Sequence, residues 1–123
     1  MRKKIPIKPK TRKIMKVAIA SSGNDKQALL SEVLARSPWV VFYDTLTGAL
    51  EFFPNPYSHN ENEVGHEILQ VLISRNVSLV ISRRVGKKLK QWLDARQIQL
   101  AIFTEHLTIG QVLELLGRKS SKV

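Results

Sequence analysis

The chain has 123 residues, 43% of them hydrophobic, which suits one domain with its own core and is too apolar for a disordered chain. It contains no cysteine, which excludes a disulfide framework, a thiolate zinc site, an iron–sulfur cluster on its own thiolates and a cysteine nucleophile. Its formal net charge of +10 is uneven: residues 1–16 hold eight Lys/Arg and no acid, so the remaining 12 cations face 10 acids and the rest of the chain is only +2.

Residues 1–13, with Pro6 and Pro9, are expected to form a disordered basic arm. Such an arm suits nucleic acid or an acidic partner, and residues 1–16 as a whole are the candidate nucleic-acid contact. The plainer reading is a solvated leader that aids solubility. No apolar run approaches the ~18 residues of a membrane span. No signal-type apolar stretch follows the basic start, so a cytoplasmic protein without membrane association is expected.

The domain proper is placed at residues 14–117, with a loose tail at 118–123. "IMKVAIASS" reads as a buried strand closed by Ser21, Ser22 and Gly23. In "NDKQALLSEVLARSP" a helix can open at Asn24 or Asp25, turn Leu29, Leu30, Val33 and Leu34 inward, and end at Pro38. "WVVFYDT" and "ALEFFPNP" are strands joined through Thr47-Gly48, which makes them an antiparallel hairpin. The polar stretch "NPYSHNENE" is a loop. A helix over about 62–75 gathers Ile68, Leu69, Leu72 and Ile73 on one face. "VSLVIS" is a short apolar strand of the kind buried on both sides. A helix over 86–96 turns Val85, Leu89, Trp92 and Leu93 inward, "IQLAIF" is the next strand, and "TEHLTIGQVLELLG" is a last helix with Thr108 as N-cap and Gly117 as stop.

This order predicts a three-layer α/β/α domain with a mixed five-stranded sheet, in which the first, fourth and fifth strands run parallel and the hairpin adds an antiparallel member. Ligands of such sheets sit outside the carboxyl ends of the parallel strands. Three loops leave those ends: "SSGND" (21–25), "SRRVGKK" (82–88) and "TEHLT" (104–108). The middle one poses a physical problem. Arg83, Arg84, Lys87 and Lys88 crowd the start of a helix whose free N–H groups are already positive, an unfavourable arrangement unless an anion binds there. Gly86 among them permits close backbone approach, and glycine, free N–H groups and arginine together make an anion site. A solvated basic face is the alternative. Ser21, Ser22, Gly23 and Asn24 form a short polar loop that is neither a Walker A nor a G-x-G-x-x-G motif, so nucleotide binding has no motif behind it.

Taken together, "MKVAIASSGND", "RSPWVVFYDTLTGALEFFPNP" and "GHEILQVLISRNVSLVISRRVGKKLKQWLDARQIQLAIF" resemble the dinitrogenase iron–molybdenum cofactor biosynthesis family, the nitrogenase accessory-factor domain, from about Lys16 to Leu116. The resemblance rests on the order and spacing of a strand followed by Ser-x-Gly-Asn, of Arg36-x-Pro38 with an aromatic strand and Asp44-x-x-Thr47-Gly48, and of Gly65 with its helix, strand and Gly86. It implies a ribonuclease H-like topology and a protein that binds, carries or helps insert iron–molybdenum cofactor or an iron–sulfur precursor, with a nitrogenase-type assembly protein as a partner. Two departures stand out. Where the family commonly has Ser-x-His-Phe-Gly-Arg, this chain has Ser31-Glu32-Val33-Leu34-Ala35-Arg36, so the histidine is Val33 while Arg36 remains. Where the family's loop after the fourth strand is small and neutral, this one carries Arg83 and Arg84.

On that resemblance, Arg36, Arg83 and Arg84 are candidates to bind negative oxygens or sulfides, with Ser21, Gly23, Asn24 and Gly86 lining the site. His66 and His106 are candidate metal contacts, each competing with a structural role, and His59 reads as surface. No pair of histidines has tight metal spacing. The aromatics Trp39, Phe42, Tyr43, Phe52 and Phe53 could stack bases in principle, but their strand pattern favours core packing. Catalysis is not expected. A ribonuclease H-type nuclease needs clustered carboxylates on its central strands, and "KIMKVAIAS" has none; a G-x-S-x-G nucleophile motif is also absent. The expectation is therefore a non-catalytic domain for an anionic, metal-cluster-type ligand. The alternatives are a binder of nucleic acid or an acidic partner through the arm and the 83–88 loop, and a diverged member that dimerises or binds a protein.

Overall fold

Five strands form one sheet in the order β3-β2-β1-β4-β5. They are β1 (Lys16–Ser21), β2 (Trp39–Asp44), β3 (Leu50–Pro54), β4 (Leu79–Ser82) and β5 (Gln99–Ile102). The computed structural model describes residues 15–58 and 65–121, with side chains through Gly117. The basic arm at 1–13, His59 and the end of the tail lie outside the described residues.

Hydrophobic patterning accounts for the register. β1 is the central strand, buried from Val17 to Ser21, with β2 opposite all six of its residues and β4 opposite Val17–Ile19. It pairs antiparallel with β2, Lys16 opposite Asp44 through Ser21 opposite Trp39. It pairs parallel with β4, Ala18 opposite Val80, and β4 pairs parallel with β5, Ile81 opposite Ala101. Only β2 opposes the common direction, which is the ribonuclease H-like arrangement. The β2–β3 hairpin turns where Gly48 takes φ +80°, a conformation that needs glycine. The Asp44 carboxylate braces that turn by accepting the N–H groups of Leu46 (2.8 Å) and Thr47 (3.2 Å).

Because side chains alternate along a strand, the sheet feeds two cores. Ala18, Ala20, Val40, Phe42 and Val80 face helices α1 (Gly65–Ser74) and α2 (Lys87–Ala95), which contribute Ile68, Leu69, Leu72, Leu89 and Leu93. Val17, Ile19, Val41 and Ile81 face α3 (Ile109–Ser121), which contributes Ile109 and Val112. The molecule is thus the three-layer α/β/α sandwich that the element order implies. Four of the aromatics pack in or against these cores: Phe42 meets Phe53 edge-on at 5.7 Å, and Phe52 and Tyr43 pack on the α3 side, while Trp39 is in neither.

Two expectations are corrected. Residues 24–36 do not form an α-helix. They form an irregular strap with a single 3₁₀ turn at Leu34–Arg36. The reason is geometric: Leu30 is buried in the α3-side core, whereas Leu34 and Ala35 are buried in the opposite one. A straight helix cannot deliver neighbouring leucines to both faces of a sheet, so the chain wraps round the sheet's end instead. Asp25 keeps the hydrogen-bonding habit of a cap, accepting from Gln27 N (2.9 Å) and Ala28 N (3.1 Å), but closes a turn. Secondly, α3 runs through Gly117 to Ser121 rather than stopping at the glycine. No positive φ occurs at Gly117, and nothing in the following Arg-Lys-Ser-Ser breaks a helix.

Candidate functional site

The three loops at the carboxyl ends of β1, β4 and β5 are tied together by the strap. Ser22 N donates to Leu29 O (3.0 Å) and Leu29 N returns to Ser22 Oγ (3.1 Å). Ser31 N bonds Ala20 O (2.9 Å), Leu30 N bonds Leu107 O (2.8 Å), and Arg83 N and Arg84 N donate to Ser31 O (3.2 Å) and Glu32 O (2.8 Å). Residues 31–33 therefore run alongside 83–84, and Val33 forms a parallel bridge with Arg84. The position where the family motif carries histidine is thereby set beside the loop's second arginine.

Within the first loop, Ser21 is fully buried and its hydroxyl is spent locally, donating to Gly23 O (2.6 Å) and accepting from Gly23 N (3.2 Å). Gly23 is there for packing, since a Cβ would stand 3.1 Å from that of Ala28. Asn24 is exposed at the loop's tip.

The second loop is shaped by Ser82, whose hydroxyl donates to Arg84 O at 2.8 Å. Arg83 lies across the sheet end: Nη2 reaches Thr104 O (3.4 Å), and its buried Nε has no hydrogen-bond partner. Arg84 faces Glu32, Nη2 to Oε1 3.6 Å, with both side chains more than half exposed, so this pair neutralises little. Gly86 then caps α2 at an ordinary φ of −74° with open space where a Cβ would go. Neither conformation nor packing requires glycine there.

The two helices that begin at this end are finished differently. At α3, Thr108 Oγ1 accepts from Gln111 N (3.1 Å) while Gln111 Oε1 accepts from Thr108 N (2.9 Å), a reciprocal capping box. The next N–H groups, of Ile109 and Gly110, donate to the strap carbonyls of Ala28 and Lys26, each at 2.8 Å. At α2 no side chain caps the start and no acid stands in the first turn, which instead holds Lys87, Lys88 and Lys90. One helix start is closed by its own chain; the other is open, cationic and beside Arg83 and Arg84.

Arg36 ends the 3₁₀ turn, exposed, and a buried asparagine holds that turn. Asn55 Nδ2 donates to Ala35 O (3.0 Å) and Ser37 O (2.9 Å), and its Oδ1 accepts Tyr57 N (3.0 Å). In the sequence Asn55 is marked only as a polar residue between two prolines directly after an apolar strand. His66, in the first turn of α1, sits edge-on to Trp92 at 5.6 Å, and His106 is exposed in the loop after β5. Among the described residues no three of His, Cys, Asp and Glu are grouped to hold a metal ion. No helix among them is long and apolar enough to cross a membrane.

The other end of the sheet carries a shallow cavity of about 380 Å³ between Lys16, Tyr43, Asp44, Leu50 and Arg75. One of its two cations is already engaged: the Arg75 guanidinium lies 4.4 Å from the centre of the Phe42 ring and pairs with Glu51. Nothing ties this cavity to the loops described above.

A family model described as dinitrogenase iron–molybdenum cofactor matches residues 15–119. Several solved structures share the fold. A protein of Thermotoga proposed as NifB is 26% identical, with 85% of this chain and 89% of that one covered at a TM-score of 0.73. The apo form of the orange protein from Desulfovibrio gigas is 23% identical, covering 86% and 89%, with a TM-score of 0.77. A protein of Methanocaldococcus jannaschii proposed as a dinitrogenase is 14% identical, covering 86% and 90%, with a TM-score of 0.61. No curated protein matches the chain.

Proposed function

Because the chain belongs to the dinitrogenase iron–molybdenum cofactor family, we propose that it is a non-catalytic binding protein that holds an anionic metal cluster as cargo, at the carboxyl ends of β1, β4 and β5. Iron–molybdenum cofactor and its iron–sulfur precursors are the cargo class, and an assembly protein of the nitrogenase type is the corresponding partner. The observation that carries this reading is the open start of α2 beside Arg83, whose buried Nε lacks a partner. A buried donor left unpaired costs free energy that an incoming acceptor recovers.

The residues fit such a cargo by charge and hydrogen bonding rather than by metal ligation. There is no cysteine anywhere in the chain, and valine occupies the motif's histidine position. The first-turn N–H groups of α2 and the guanidinium of Arg83 would take the cluster's negative atoms, with Arg84 released from Glu32 and Arg36 at the margin. Ser21 and Gly23 shape the loop from within, Asn24 borders it, and open space at Gly86 gives the ligand access. His106, exposed in the neighbouring loop, is the better placed of the two candidate metal contacts, because His66 is engaged with Trp92.

The test is an anaerobic titration of the purified chain with isolated iron–molybdenum cofactor and, separately, with a simple iron–sulfur cluster, followed by gel filtration and metal analysis. Stoichiometric co-elution that is lost in Arg83→Gln with Arg84→Gln supports the reading. Folded protein that elutes free of metal overturns it.

A further inference from the structure

We infer that the outer face of α2 is a second interaction surface, one that binds the phosphate backbone of nucleic acid without regard to base sequence. The inference goes beyond the cargo site and does not depend on it. Residues 87–96 hold four cations, Lys87, Lys88, Lys90 and Arg96, against the single acid Asp94. Lys87 and Lys90 are three apart, hence neighbours on one side of the helix, and both are exposed, as is Gln91, four residues after Lys87 on the same side. Asp94 offsets part of this charge through its contact with Lys90 at 3.2 Å, an exposed pair more than half open to solvent on each side. Such a pair exchanges readily for a phosphate, whose release of counterions favours the switch.

Composition selects the partner. The large exposed hydrophobic residues of the described structure are Leu29, Leu46 and Ile102, and none lies on α2. Protein interfaces depend on buried aromatic or apolar anchors, and a membrane-surface helix needs an apolar edge to insert. The outward side of α2 offers neither; it offers ammonium groups and an amide. Those are the donors that position a protein on phosphates and carry no base information. The eight Lys/Arg of residues 1–16 add further charge of the same sign to the chain.

The experiment is fluorescence anisotropy of the full chain with a labelled DNA duplex of arbitrary sequence, across a series of potassium chloride concentrations. It compares the wild type with Lys87→Gln plus Lys90→Gln, and uses poly-glutamate and anionic lipid vesicles as competitors. Two lost phosphate contacts should lower the slope of log K against log salt by about 1.8 and weaken binding near 0.1 M salt by roughly one to two orders of magnitude. The thermal melting temperature should not fall, which separates the effect from misfolding. An unchanged slope, no binding by the wild type, or displacement by poly-glutamate or vesicles as effective as by unlabelled duplex would each overturn the inference.

Discussion

Asn55 is the residue whose removal should tell most about how the site's margin is held. It is 5% exposed and makes three hydrogen bonds, donating to Ala35 O and Ser37 O and accepting from Tyr57 N. Truncation in Asn55→Ala deletes all three and leaves two carbonyls of a buried turn without their donor. At about 1 kcal/mol net per bond the loss is about 3 kcal/mol, a large share of the roughly 5–15 kcal/mol that stabilises a domain. For about 100 residues this corresponds to a fall in melting temperature of roughly 12–20 °C. Urea unfolding followed by tryptophan fluorescence reads it, because Trp39 lies two residues beyond Ser37. The companion Asn55→Asp keeps the size and the acceptor for Tyr57 but points a carboxylate at two carbonyl oxygens. Burial and those oxygens raise the introduced carboxyl's folded-state pKa above its unfolded value of about 3.9. The sign follows from linkage: relative to wild type at the same pH, the penalty is smallest below the unfolded pKa, where the group is protonated and can donate one bond. It grows to its full size as pH rises through the folded-state pKa. A loss under about 1 kcal/mol for Asn55→Ala, or a gap for Asn55→Asp that ignores pH, would refute the staple.

Four further substitutions follow from local geometry. Lys87→Glu replaces a cation by an anion at the open start of α2 and should stabilise the fold by about 0.5–1 kcal/mol in thermal melts while weakening anion binding, the mark of a position kept for function. Gln97, at φ +61° after α2, closes that helix with Ile98 N bonded to Leu93 O (2.9 Å), so Gln97→Gly should relieve left-handed strain and raise stability by roughly 0.5–1 kcal/mol in urea unfolding. Gly117→Ala, in open space inside α3, should gain about 0.5–1 kcal/mol. Gly110→Ala should gain less or lose, because its Cβ would stand 3.3 Å from the backbone oxygen of Lys26. Equal melting shifts for the two glycines would contradict this placement.

Much of the fold was legible because its signals are local. The apolar runs at 17–20, 39–42 and 79–81 could only be strands. The spacing of Ile68, Leu69 and Leu72 reads as a helix face, and Thr108 reads as an N-cap. The strap was misleading for a physical reason. Leu29, Leu30, Val33 and Leu34 have helical spacing, but spacing cannot say that Leu30 and Leu34 must end on opposite sides of the sheet. Gly117 misled in the same way, since a glycine past an apolar stripe can end a helix or lie within it. At the site, the cations of residues 83–88 were visible from charge alone. Their surroundings were not, because Glu32, Val33 and Thr104 reach them only through the strap and the β4–β5 pairing.

That division explains why the strand-end loops carry the functional argument. A sequence whose local choices agree with its fold leaves little to interpret, and a local choice that opposes the fold asks for a reason. The start of α3 is of the first kind: its N–H groups are met by Thr108, Ala28 and Lys26, and nothing remains to be bound. The start of α2 is of the second kind. Three lysines stand in a turn where acids would be stabilising, the N-cap Gly86 makes no side-chain cap, and the buried Nε of the adjacent Arg83 has no hydrogen-bond partner. Both helices begin at the same end of the same sheet, so the difference does not come from the topology. It comes from the cations gathered at the positive end of α2, an arrangement whose repulsion the proposed anionic ligand would relieve.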